Sequence, residues 1–118
     1  LYLPDDEILF TGDLVFNACH PYLADGPIQD LDNELNFMDA LSIATVVPGH
    51  GQIGSKDIIG SMRDYILSVE NLAVEIHKKG LTIEDMESIE IPENYRKWCF
   101  DGFFLSNLKF AYSKLDEK

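Results

Sequence analysis

A chain of 118 residues, 46% hydrophobic and 25% charged, has the make-up of one small globular domain. With 21 acidic against 9 basic residues its formal charge is -12, a surface that repels phosphate backbones and makes nucleic acid a poor partner. No apolar run approaches the ~20 residues that cross a bilayer, and neither a signal peptide nor a basic amphipathic leader is present, so the expected setting is cytoplasmic with no membrane partner.

The chain opens at Leu1 in what reads as mid-strand, which predicts a piece of something longer. Leu1-Tyr2-Leu3 end a strand, Pro4-Asp5-Asp6 make a turn, and residues 7–11 return as a second strand. Ile8, Leu9 and Phe10 are apolar without alternation, the pattern of a strand covered on both faces. Residues 17–32 hold Pro21, Gly26 and Pro27 and read mostly as loop, and loops of that length tend to be functional. A helix is predicted from Leu31 or Asp32 to Ser42, with Leu35, Met38 and Leu41 on one side and Asp30 or Asp32 as its cap. A strand over 44–47 follows, and strand, helix, strand in this order implies α/β layering.

The longest helix is predicted over 55–79. Ser55 caps it, Ile58, Ile59, Met62, Ile66, Val69, Leu72, Ala73 and Ile76 form its apolar face, and Gly80 stops it. Thr82 and Asp85 resemble a capping box before a short helix to Ser88. A final helix runs from Asp101 to Leu115 on a stripe of Phe104, Leu108, Ala111, Tyr112 and Leu115. The chain thus divides into a strand–loop–helix–strand unit over 1–54 and a helical region over 55–118. Cys19 and Cys99 offer neither a disulfide framework nor a CxxC spacing, so free, buried thiols in a reducing compartment are expected.

Two stretches carry chemistry. Ile8-Leu9-Phe10 leads into Thr11-Gly12-Asp13, and Val46-Val47 leads into Pro48-Gly49-His50-Gly51. Each apolar run ends in glycine and presents a carboxylate or an imidazole, the donors a zinc-type site uses. Glycines on both sides of His50 let the backbone bend and leave the ring unobstructed, while Pro48 fixes the approach. His20 and Tyr22 lie in the loop after Asp13, which makes them candidates for the substrate side of the site or for support behind the ligands. The plainer alternative packs the Tyr22 ring and leaves the His20 imidazole in solvent. No Gly-x-Ser-x-Gly elbow supports a serine nucleophile.

Thr11-Gly12-Asp13-Leu14-Val15-Phe16 and Val46-Val47-Pro48-Gly49-His50-Gly51 resemble the fourth and fifth motifs of the metallo-β-lactamase superfamily, and the likeness extends through His20-Pro21-Tyr22 and residues 98–115. The resemblance implies an α/β chain that is the C-terminal half of a four-layer αββα fold, few strands plus three or more helices, with a binuclear zinc site. It implies that Asp13 bridges both metals, that His50 ligates the second, and that a metal-activated water hydrolyses a small ester, thioester, lactone or related bond. The superfamily's His-x-His-x-Asp-His motif is absent, so the expected partners are the N-terminal half of the same domain and a small-molecule substrate. Alone, such a piece is expected to bind metal weakly, to turn over nothing, and to associate with itself by exchanging elements. The alternative is a non-catalytic acidic interaction module that keeps half of the fold.

Overall fold

The computed structural model describes residues 1–115 and holds, among them, three α-helices and a three-stranded sheet. Strand β1 (Tyr2–Leu3) pairs antiparallel with β2 (Ile8–Phe16), which pairs parallel with β3 (Thr45–His50), in the order β1-β2-β3. Helix α1 (Ile28–Asp39) makes the crossover that a parallel pair requires. Helices α2 (Asp57–Lys78) and α3 (Phe103–Leu115) follow, with short 3-10 turns at Leu23–Asp25, Glu84–Ser88 and Glu93–Tyr95.

The core gathers on α2, whose Ile58, Ile59, Met62, Tyr65, Ile66, Val69, Ala73 and Ile76 are buried. Against it pack Leu9, Val15 and Val46 from the sheet, Leu35 and Met38 from α1, and Phe104, Leu108 and Ala111 from α3. The start of α2 is held by Ser55, whose hydroxyl accepts from the Asp57 N–H at 3.3 Å. Beyond its end, the Asp85 carboxylate accepts from both the N–H and the hydroxyl of Thr82, while the Asp85 N–H donates to the Thr82 carbonyl rather than to the hydroxyl, so only one half of the predicted box forms.

The sheet differs from expectation in two ways. Burial along β2 alternates: Leu9 and Thr11 are buried while Phe10 is 41% exposed, so helices cover only one face. The run of three apolar residues concealed this, because an apolar side chain on an open face reads like one in a core. In addition, β2 does not stop at Thr11 but continues to Phe16. Gly12 takes a φ of 56° and the register slips there. One residue of β2 is extruded between Phe10 and Gly12 and two more between Gly12 and Phe16. Opposite the first slip stands Pro48, which has no N–H to give β2, so the ladder loosens where Asp13 must turn outward.

Helix α1 starts at Ile28, earlier than predicted. Neither Asp30 nor Asp32 caps it: Pro27 takes the cap position with its fixed φ of -62°, and Asp30 sits in the first turn, where a negative charge suits the helix dipole. The cysteines are not free. Cys19 and Cys99 form a disulfide across a sequence separation of 80, beside an isolated parallel bridge between the same two residues. The radius of gyration, 15.0 Å, exceeds the roughly 13.5 Å of a compact chain this long, as a sheet covered on one face would give.

Candidate metal centre

Asp13 and His50 reach one another from neighbouring strands. Extrusion of residues after Gly12 turns Asp13 away from the ladder, and the parallel pairing of β2 with β3 brings His50 opposite Phe16. The Asp13 Oδ1 and His50 Nε2 atoms lie 3.5 Å apart, with the two side chains 78% and 45% exposed.

Both glycines around His50 are sterically required. A Cβ on Gly49 would stand 2.5 Å from Asp13 Oδ1 and 2.6 Å from the Gly12 carbonyl group. A Cβ on Gly51, whose φ is 95°, would run into the Asn17 carbonyl oxygen. The Asn17 N–H in turn donates to the His50 carbonyl at 2.9 Å, tying β2 and β3 together just past the pair.

Rings set the imidazole. Phe16 packs on it with centroids 4.7 Å apart, and Phe100 meets it edge-on at 5.3 Å. The ring contacts continue from Phe100 to Phe103 at 5.9 Å and from Phe103 to Tyr22 at 5.5 Å. These side chains line an open groove of about 460 Å³ with Asp13 and His50 at one side. Neither Phe100 nor Phe103 stands out in the sequence as part of a site. Each belongs to the C-terminal region, and nothing local ties that region to a site some fifty residues earlier.

His20 is elsewhere. Its imidazole is neither in the groove nor in solvent but fully buried, with Nδ1 at 2.8 Å from the Tyr65 hydroxyl and Nε2 at 3.0 Å from the Tyr95 carbonyl. A carbonyl can only accept, so Nε2 carries the hydrogen and Nδ1 accepts from Tyr65. The Tyr65 oxygen also accepts from Asn107 Nδ2 at 3.0 Å. Burial pushes the His20 pKa below its ordinary value, a shift only partly offset by the Tyr95 carbonyl and the Asp101 charge. Burial likewise raises the Tyr65 phenol well above the usual range. Tyr22, two residues on from His20, points instead into the groove.

Donors on a tetrahedral zinc with bonds of 2.0–2.1 Å stand about 3.4 Å apart, so the Asp13–His50 spacing of 3.5 Å fits two positions on one ion. Among the described residues no group of three or more His, Cys, Asp and Glu side chains is placed to hold a metal.

Residues 1–50 match the family model of the metallo-beta-lactamase superfamily. The matched span contains Asp13 and closes on His50. The superfamily generally contains hydrolases and commonly binds zinc. Comparison with curated proteins returns no match.

Proposed function

We propose that this chain contributes the Asp13 and His50 ligands to the metal centre of a hydrolase of the metallo-β-lactamase superfamily that acts on a small ester, thioester, lactone or related bond. The observation that carries the proposal is the 3.5 Å approach of Asp13 Oδ1 to His50 Nε2 within the residues that match the superfamily. Zinc bound there would polarise a carbonyl and lower the pKa of a water. Asp13, extruded at the bulge, offers oxygen donors to solvent, and His50 offers Nε2 with its ring held by Phe16 and Phe100. Tyr22, Phe100 and Phe103 form an apolar wall that favours an uncharged substrate group and keeps water from its far side. Two donors are short of the three that a catalytic zinc needs, so the remaining ligands come from additional polypeptide, in the four-layer arrangement of the superfamily. Cover for the open Phe10 face comes from the same source.

Titration of the chain with zinc, followed by amide NMR, tests the assignment. Weak binding with shifts centred on Asp13, Phe16 and His50, lost in Asp13→Ala and His50→Ala, is the expected result. Tight stoichiometric binding, or shifts that persist in both variants, would overturn it. The shortage of a third donor favours one alternative, a non-catalytic acidic module. No zinc-dependent change at any concentration would select that alternative.

A further inference from the structure

The disulfide stands next to the groove. Cys99 immediately precedes Phe100, and Cys19 lies between the end of β2 and Tyr22. Both partners flank residues in left-handed backbone, Ala18 with φ 55° and Phe100 with φ 61°. Side-chain-bearing residues adopt that conformation rarely, and it persists only where the surroundings over-determine it. Around Phe100 the backbone is held by the disulfide and by the hydrogen bonds from His20 N–H to the Cys99 carbonyl (2.8 Å), from Cys99 N–H to the Ala18 carbonyl (3.0 Å) and from Phe103 N–H to the Phe100 carbonyl (2.9 Å), while its ring touches Phe16, His50 and Phe103. Gly102, on the α3 side, has open space around it. Cys19 is buried, whereas Cys99 is exposed and open to an attacking thiolate.

We infer that the Cys19–Cys99 disulfide is a redox-operated clamp that holds Phe100 against His50, and that reduction by a dithiol frees residues 99–102 and withdraws the ring from the imidazole. One thiolate of the dithiol attacks Cys99 Sγ, the S–S bond breaks, and Cys19 leaves as a thiolate that takes up a proton. The second thiol of the reagent then attacks the mixed disulfide. This releases Cys99, also protonated, and closes the reagent into its own disulfide, so two electrons and two protons have passed to the protein. The inference goes beyond the hydrolase proposal and needs no metal.

The test uses the whole 118-residue chain without metal, oxidised and then treated with dithiothreitol. Expected are protection of both cysteines from iodoacetamide before reduction and alkylation of the exposed Cys99 after it, with far-UV circular dichroism unchanged. On reduction the His50 ring-proton resonance, identified by its loss in His50→Gln, should move, and chymotryptic cleavage after Phe100 should speed up about tenfold, as for a locally opened segment. Cys99→Ser should show the reduced behaviour with or without dithiol. Alkylation of the oxidised chain, an unmoved His50 resonance, cleavage rates within about twofold, or a dithiol response in Cys99→Ser would each overturn the clamp. So would loss of the helical signal on reduction or in Cys99→Ser, since the bond would then be a global staple.

Discussion

Replacing Asn107 with alanine should cost a large part of the stability of this domain and disturb the groove as well. Asn107 is fully buried on α3, and its side chain makes three hydrogen bonds. Oδ1 accepts from the Leu23 N–H at 2.9 Å, while Nδ2 donates to the Pro21 carbonyl at 2.7 Å and to the Tyr65 hydroxyl at 3.0 Å. Tyr65 keeps its bond to His20 in the variant, but the Leu23 N–H and the Pro21 carbonyl lose these partners in a dry interior. At about 1–3 kcal/mol for each orphaned group, the loss comes to about 2–6 kcal/mol, against a typical total of about 5–15 kcal/mol for a domain. Pro21 and Leu23 flank Tyr22, so the same change should loosen the ring that lines the groove beside Phe103. Urea unfolding followed by circular dichroism measures the first effect and the Tyr22–Phe103 nuclear Overhauser contact the second. A stability loss below about 1 kcal/mol, with that contact intact, would refute the assignment of Asn107 as the pin of this loop.

Other expectations concern pH, a glycine and the crosslink. Because the folded pKa of His20 lies below its ordinary 6.5, both folded and unfolded imidazoles are neutral above that pH and the residue adds no pH dependence there. As pH falls below it, the unfolded chain takes up a proton that the folded chain refuses, so stability declines until the lowered pKa is reached. His20→Gln should flatten that part of the stability profile, and a slope equal to that of the parent would count against burial as the cause. Gly49→Ala should destabilise by about 1–3 kcal/mol through the clash with Gly12 and Asp13. It should also weaken zinc binding, and an unchanged melting temperature would show that the strands yield freely. Cys19→Ser with Cys99→Ser opens a loop with a separation of 80 residues, which chain entropy values at up to about 4.5 kcal/mol. A double variant as stable to urea as the oxidised parent would remove the crosslink from the account of the fold.

Much of the helical part could be read from local pattern. The stripe from Ile58 to Ile76 needs no distant information, and Ser55, Gly80 and the Thr82–Asp85 pair mark boundaries through hydrogen bonds made within a few residues. The strand β2 was harder. Gly-Asp after an apolar run is the signature of a turn, and a bulge uses the same positive-φ glycine for a different purpose, so sequence alone does not separate the two. Which face of that strand is open depends on where α1 and α2 land, and Phe10 carries no sign of it. Asp13 and His50 stood out as candidate donors because the glycines around them are unusual. Their mutual distance depends on a parallel register that no short stretch encodes. The buried polar residues His20 and Asn107 were opaque for the same reason, since their partners Tyr65, Tyr95, Pro21 and Leu23 lie 42 to 86 positions away. The Cys19–Cys99 bond falls in that class too.

The crosslink also makes most of the polypeptide a covalent ring. Residues 20–98, with α1, β3 and α2 among them, lie between its two ends. A protease that severs any loop in that interval adds one water and leaves a single molecule, with both pieces still joined through sulfur. Under oxidising conditions a nicked chain would therefore run as one species and keep Asp13 and His50 tethered together, even when the cut falls in the crossover that separates them.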